Sequence, residues 1–142
     1  ALPFAYNVVK ILVLEVFLMN PNEMNPLVLA YIGDAVYEIL VRNYLIKNNE
    51  SDINILSKEK IDFVSASSQS KILEDLINNN FLTDEELFVI KRARNHKTKS
   101  KPKHASAKEY KKATALEALF GTLYIKKDFN RIDEIFNKIV GD

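Results

Sequence analysis

The sequence predicts an all-α domain of about six or seven helices. Only three of the 142 residues are glycine and four are proline, whereas leucine, isoleucine, lysine and glutamate recur throughout. Such residues favour helices over a β-fold with many turns. No convincing alternation of apolar and polar residues marks a strand. The length is that of one ordinary domain, which can form a core without disulfides or a structural metal.

Capping residues mark where these helices begin and end. The predicted helices lie at about residues 26–47, 51–62, 65–78, 84–95, 107–126 and 128–140. Asn25 followed by Pro26 is typical of a helix start, and Ser51 is the predicted cap of the second helix. In a capping box, a hydroxyl residue and a glutamate three residues later satisfy each other's backbone N–H groups. Two such boxes are present: Thr83 with Glu86, and Ser106 with Glu109.

The chain divides into an N-terminal extension, residues 1–24, and a helical domain, residues 25–142. Residues 4–19 are largely apolar but contain Lys10 and Glu15. Because a membrane span needs roughly 20 mostly apolar residues, this run favours a core or interface segment over a membrane element. No basic residues precede it and no small-residue cleavage site follows it, so a secretory signal is a poor fit. We expect no membrane partner.

The formal net charge of +1 hides a strong asymmetry. The segment from Lys91 to Lys112, called here the basic segment, holds ten Lys and Arg residues against the single acid Glu109. The remaining residues carry ten basic and eighteen acidic side chains. An acidic body with one concentrated basic segment is typical of a protein that binds a polyanion.

The chain contains no cysteine. This excludes disulfides, thiolate zinc sites and cysteine nucleophiles, and it fits a reducing, cytoplasmic setting. His96 and His104 lie in the basic segment without an acid cluster beside them in sequence. Solvated or phosphate-contacting histidines are therefore favoured over a zinc site.

Two acidic residues stand inside apolar runs. Asp34 lies within residues 27–37 and Glu117 within residues 113–124. A helix that is apolar on every face is normally buried, so both carboxylates are predicted to lie where an isolated charge is costly. Small residues at helical spacing let another helix approach closely, so the two helices are predicted to cross at these acids. Those small residues are Ala30 and Gly33 near Asp34, and Ala113, Thr114 and Gly121 near Glu117.

The two acids are candidate metal ligands. Carboxylates brought together in an apolar setting must share a proton, bind a cation or be separated by water. An oxygen-only site with open positions suits Mg²⁺, with Mn²⁺ as a substitute. The alternative is that Asp34 bonds a nearby backbone or hydroxyl group and that Glu117 pairs with a lysine. The residue pattern leaves both interpretations open.

Glu38 is a weaker candidate. It lies one turn beyond Asp34, and Arg42 follows it at i+4 in the favourable orientation for a helix ion pair. The ion pair is the favoured interpretation. Glu38 remains a candidate for a supporting residue, one that does not bind the metal itself but orients the acids that do.

Four blocks of sequence resemble a known family. Residues 29–38, Leu-Ala-Tyr-Ile-Gly-Asp-Ala-Val-Tyr-Glu, resemble the signature helix of the ribonuclease III fold, and residues 114–124 are similar to its second catalytic helix. Between them, residues 64–69 and 91–95 resemble blocks of one subgroup, Mini-ribonuclease III. The resemblance covers about residues 25–140. Four blocks in the right order are far more specific than a single Gly-Asp pair.

The resemblance implies a helical homodimer with the ribonuclease III endonuclease-domain fold. It also implies Mg²⁺-dependent endonucleolytic cleavage of double-stranded RNA to 5′-phosphate and 3′-hydroxyl ends, and, for the subgroup, maturation of a large-subunit ribosomal RNA precursor. Asp34 and Glu117 carry over as catalytic metal ligands, with the ion activating water and stabilising charge on the phosphate. RNA binding is assigned within the basic segment to Lys91, Arg92, Arg94, Asn95, Lys97, Lys99, Lys101 and Lys103.

The sequence departs from the larger ribonucleases III in two respects. Their additional carboxylates would fall at Ala30 and Thr114, which cannot supply anionic ligands, so a fully ligated two-metal site is in doubt. We expect no separate double-stranded-RNA-binding domain after residue 142, so the basic segment should do more of the RNA holding, by duplex shape rather than base sequence. The alternative function is a noncatalytic RNA- or ribosome-binding protein of the same fold. A helical module whose N-terminal segment docks a partner or membrane is a more distant one.

Overall fold

The computed structural model describes residues 15–48, 51–96 and 106–141, and these residues contain helices and turns but no strand. The all-α prediction is confirmed. Six α-helices follow a 3₁₀ turn at Pro21–Glu23: α1 Pro26–Lys47, α2 Ile53–Val64, α3 Ala66–Asn78, α4 Asp84–Arg94, α5 Ala107–Ile125 and α6 Phe129–Val140. None of the helices in the described ranges has the length and hydropathy needed to span a membrane.

The predicted helix starts are confirmed except at α2. The side chain of Asn25 accepts a hydrogen bond from the Leu27 amide at 2.8 Å, and both predicted capping boxes are formed. At α2 the cap is Asp52 and not Ser51, because the Asp52 carboxylate accepts from the Asn54 amide at 2.8 Å. Both residue types are good caps, so only the backbone path decides which side chain reaches the free N–H two positions on.

Helix α5 is the centre of the domain. It packs against α1, α3, α4 and α6, and Ala115, Leu116, Leu119 and Phe120 on it are fully buried. Its apolar run therefore has neighbours on several sides, as expected for a helix without a polar face. Helix α2, by contrast, contributes no buried residue and lies on the outside of α1 and α3.

Helices α1 and α5 touch through two glycines. A Cβ atom added at Gly33 would overlap the carbonyl oxygen of Glu117 and lie 2.7 Å from the Gly121 amide nitrogen. A Cβ added at Gly121 would overlap the carbonyl oxygen of Leu29 and lie 2.9 Å from its carbonyl carbon. Because no other residue type leaves room for backbone against backbone here, the glycines fix where the helices cross. The predicted crossing is confirmed.

A buried ion pair joins α4 to α6. Glu86, already part of the α4 capping box, accepts hydrogen bonds from the Arg131 guanidinium at 2.8 Å through each carboxylate oxygen. Arg131 also donates to the Phe81 carbonyl at 2.7 Å. Burial raises the pKa of Glu86, but the bonds from Arg131 and Thr83 outweigh it and the net pKa is lowered. Glu86 therefore stays ionised and holds α6 in place.

Residues just before α1 also contact the helical domain. The Phe17 ring lies 5.4 Å from the Tyr124 ring, and the Lys127 ammonium lies 5.0 Å from the Phe17 ring centre. Residues 1–14 lie outside the described residues. The role predicted for the N-terminal extension, and its boundary at residue 24, stay predictions.

Candidate active site

Asp34 and Glu117 meet at the crossing of α1 and α5. Gly33 precedes Asp34, and the carbonyl that it faces belongs to Glu117 itself, so the closest approach of the two helices occurs at the two acids. Their carboxyl groups share a hydrogen bond, which lowers the acidity of Glu117. Two residues 83 positions apart in sequence thus form one acid pair.

The acid pair has an unusual charge balance. Burial, then the negative charge of Asp34 and the hydrogen bond to it, raise the pKa of Glu117 to about 8. At neutral pH Glu117 in the metal-free pair therefore holds a proton. Among the residues that the structure describes, neither acid has an ion-pair partner.

The prediction that Asp34 is buried is wrong. Asp34 is exposed and Glu117 is only partly buried. The apolar run around Asp34 is not covered on every side, because α5 packs against one face of α1 while other faces remain open. The pair consequently has an inner carboxyl, on Glu117, and an outer one, on Asp34, that a ligand can reach from solvent.

Tyr37 belongs to the surroundings of the acid pair, and the sequence did not single it out. It is fully buried, stacks on Phe120 at 5.3 Å between ring centres, and donates its hydroxyl to the Phe63 carbonyl at 2.9 Å. Burial first, and the nearby charge of Glu117 second, raise its pKa. Its position one turn after Asp34 was the available signal.

The acid pair fits a magnesium ion. Mg²⁺ is commonly bound by one or two carboxylates, several waters and substrate phosphate oxygens. The pair supplies two carboxylates, and the exposure of Asp34 leaves room for water and substrate. Within the described part of the chain no group of three or more histidine or acidic residues converges. Ala30 and Thr114, the positions at which the resemblance places additional carboxylates, are buried and uncharged.

Glu38 forms the ion pair that the sequence predicted. Its carboxylate accepts from Arg42 at 2.6 Å and from Lys60 at 3.0 Å. These two hydrogen bonds lower the pKa of Glu38. The carboxylate is thus engaged in joining α1 to α2, which leaves less of it for a metal. A supporting role for Glu38 stays a prediction.

The structure separates the described cations of the basic segment. Lys91, Arg94 and Asn95 line an open cleft at the end of α4. Arg92 instead donates to the carbonyls of Asn22, at 3.0 Å, and Met24, so its guanidinium holds the turn before α1.

Lys108 and Lys111 line the same cleft, whereas several other members of the basic segment are buried or outside the described residues. Lys112 is buried and paired with Glu74. Lys97, Lys99, Lys101, Lys103 and His104 lie outside the described residues. The charge count of the segment therefore overstates how many of its cations face solvent.

Comparison with known proteins gives the family. The model of the ribonuclease III domain matches residues 27–128. A Mini-ribonuclease 3 from Clostridium tetani is 44% identical over 120 residues, covering 84% of this chain and 78% of that protein. One from Staphylococcus aureus is 41% identical over 117 residues, covering 82% and 87%. A crystal structure of a Fusobacterium nucleatum protein aligns with TM-score 0.76 and 35% identity, covering 84% of this chain and 96% of that one.

The chain therefore belongs to the ribonuclease III family. It is an endoribonuclease of ribonuclease III type, and the relatives it resembles are Mini-ribonuclease 3 proteins, as the four sequence blocks predicted. The predicted ribonuclease III endonuclease-domain fold is also confirmed.

Proposed function

We propose that this endoribonuclease cleaves double-stranded or structured RNA with Mg²⁺, for which Mn²⁺ can substitute, leaving 5′-phosphate and 3′-hydroxyl ends. One observation carries the proposal: two carboxylates, without a cation partner among the described residues, meet at a glycine crossing, one inner and one open to solvent. Following the subgroup resemblance, we extend the proposal to maturation of a large-subunit ribosomal RNA precursor.

The two acids have different tasks in this proposal. Glu117 is held by the packed backbone of α5 and cannot move far, so it fixes the position of the site. Asp34 faces solvent and is the acid nearer to the substrate. When bound, the ion would supply Lewis-acid stabilisation of the phosphate charge and a more acidic water. Binding a cation also removes the need for the shared proton on the acid pair.

The acid pair favours catalysis over the rival function of RNA binding alone. A protein that only holds RNA needs cations near phosphates, and a pair of carboxylates would repel the same phosphates. Bringing two acids together without a protein cation also destabilises the fold unless a proton or metal compensates. The pair is therefore explained by metal-assisted chemistry.

A duplex-cleavage assay tests the proposed function. We expect the full chain to convert a labelled RNA duplex to shorter products with Mg²⁺, with less than about 1% of that rate in excess EDTA, because metal catalysis contributes several kcal/mol. A gel-shift assay on the same duplex without metal measures binding separately. Binding without cleavage in Mg²⁺ would favour the noncatalytic alternative, and neither activity would favour an interaction module.

We also propose that the protein is a homodimer that assembles through an uncovered stripe of α1. Tyr31 is 83% exposed, and exposed apolar side chains continue on the same helical face at Val28, Ile39 and Ile46. Their spacing of three, eight and seven residues keeps them on one stripe. An exposed apolar patch of this kind marks an interaction site, and a twofold axis would pair the stripe with itself.

The position of the stripe links assembly to the acid pair. Tyr31 lies one turn before Asp34 on the same helix. A dimer through the stripe therefore sets two acid pairs beside one interface, as two cuts across a duplex require.

Substitution of Tyr31 tests the dimer. We expect Tyr31→Asp to raise the dimer dissociation constant at least about 30-fold, since a charge buried in an apolar interface costs roughly 2 kcal/mol or more. Sedimentation velocity across a concentration series measures it. Phe88→Glu is the matched control, because Phe88 is 58% exposed on α4 and lies off the stripe. A wild type that remains monomeric at micromolar concentration while cleaving duplex RNA would contradict the dimer.

RNA holding by duplex shape is proposed for residues 91–103 of the basic segment. Lys91, Arg94 and Asn95 lie at the end of α4, and the lysines at 97, 99, 101 and 103 follow directly in sequence. Arg92 would act indirectly, by holding the turn before α1. These groups contact phosphates rather than base edges, so binding should follow A-form shape and weaken with salt.

A further inference from the structure

A concave basic cleft lies where the end of α4 meets the start of α5. Its volume is about 460 Å³, within the range of roughly 300–1,000 Å³ typical of ligand sites. Its floor is apolar and comes from Ile77, Leu87 and Ile90. No acidic residue is among its described lining residues. Four cationic side chains line it: Lys91, Arg94, Lys108 and Lys111.

One acid near the cleft, Glu74, is already paired with a lysine. Glu74 forms an ion pair with Lys112. The pKa of Glu74 is lowered mainly by the hydrogen bond and charge of Lys112, with smaller effects from Lys108 and Arg94. Because Lys112 satisfies Glu74, the cations of the cleft keep their positive potential for an external anion.

The cleft and the acid pair lie on different sides of α5. A helix turns by about 100° per residue, so Lys108 and Lys111 lie about 180° and 120° around the axis from Glu117. Tyr110, seven residues before Glu117, lies on the same face of α5 as Glu117. In addition, no residue of α1, which carries Asp34, lines the cleft. A phosphate bound at the acid pair therefore cannot also lie in this cleft, so the cleft would contact other phosphates of the RNA.

We propose that the cleft binds single-stranded RNA that flanks the duplex being cut. This inference rests on the proposed function and adds a second, noncatalytic RNA contact. A duplex presents phosphates on a convex surface and hides its base faces, so it has nothing apolar for Leu87 and Ile77 to contact. A single strand offers both phosphates for the cations and unstacked bases for an apolar floor.

The residues that line the cleft favour single-stranded RNA over a small nucleotide as its ligand. A nucleotide site normally carries several placed polar groups that recognise the base. Asn95 is the one side-chain amide among the described lining residues, and the others are cations or apolar. The cleft can therefore contact phosphates and base faces of any sequence.

Flanked and blunt substrates test the cleft. Binding of a blunt RNA duplex is compared with that of the same duplex carrying an eight-nucleotide single-stranded tail, in EDTA, by fluorescence anisotropy. We expect the tail to tighten wild-type binding by about fivefold, the scale of a few exposed ionic contacts. Lys108→Gln/Lys111→Gln should abolish this improvement and lower the salt slope for the tailed RNA by about 1.4, since two phosphate contacts are lost. Blunt-duplex binding should not change.

The control is Lys71→Gln/Lys126→Gln, which removes the same charge from exposed positions outside the cleft and should keep the improvement. A tail that adds nothing to wild-type binding overturns the proposal. So does a cleft variant that keeps the improvement, or one that weakens blunt-duplex binding equally. Cleavage of the blunt duplex in Mg²⁺ is measured in parallel. If the wild type does not cleave the blunt duplex, the proposed function is overturned. The comparison of tailed with blunt RNA would still test whether the cleft binds a single strand.

Discussion

Neutralising either acid, by Asp34→Asn or Glu117→Gln, is expected to reduce duplex cleavage by at least about a hundredfold, because each removes a proposed metal ligand and metal catalysis contributes several kcal/mol. RNA binding should stay within about twofold of wild type, since the described cations lie outside the acid pair. Single-turnover cleavage in Mg²⁺, with binding measured in EDTA, separates the two effects. Asp75→Asn, the same change at an exposed position on α3, is the control.

Stability gives a second measurement of the same pair. The folded-state pKa of Glu117 is about 8 and its ordinary value is 4.5. Between these values the folded protein holds a proton that the unfolded chain has lost, so the contribution of this group to stability falls as pH rises through about 8. In EDTA, the melting temperature of Glu117→Gln relative to wild type should therefore rise from pH 5 to pH 8.

Adding Mg²⁺ should counteract this loss of wild-type stability. In the proposed function Mg²⁺ binds the folded wild type through both acids, so it should raise the melting temperature of the wild type more than that of either variant. Variants that cleave at near wild-type rates, or a wild type whose melting and cleavage ignore Mg²⁺, would show that the two acids are structural.

Gly33→Ala is expected to destabilise the protein by about 3 kcal/mol or more, the upper end of overpacking in a core. Helix propensity alone predicts the opposite, because alanine in a helix is about 1 kcal/mol better than glycine. Packing decides the sign, since the added methyl would overlap the Glu117 carbonyl oxygen and backbone cannot move aside without separating α1 from α5. Cleavage should fall as well, because separation of the helices separates the acids.

Denaturant unfolding of Gly33→Ala measures the stability change. Gly141→Ala is the control. It adds the same methyl where nothing lies within 4 Å and bears only the cost of a left-handed backbone, with φ at 86°, about 1–2 kcal/mol. If Gly33→Ala is as stable as wild type, the helices do not approach as closely as the structure shows. Gly121→Ala should behave like Gly33→Ala, because the two glycines form one contact.

The sequence by itself determined the helices and the candidate residues for the chemistry. Caps such as Asn25 and the box of Thr83 with Glu86 act over two or three residues, so their effect is readable without the fold. Asp34 and Glu117 were visible because a charge inside an apolar run needs an explanation. The glycines beside them predicted the helix crossing because close backbone approach depends on the absence of a side chain.

Only the tertiary structure decided which surfaces are covered. The exposure of Asp34 and Tyr31 depends on which faces of α1 other helices leave open. Arg92 and Lys112 read as free cations in the sequence, but each finds an internal acceptor. Lys108 and Lys111 join Lys91 in one cleft only because α4 packs beside α5. Burial and charge pairing depend on contacts between distant segments, and local patterns do not contain that information.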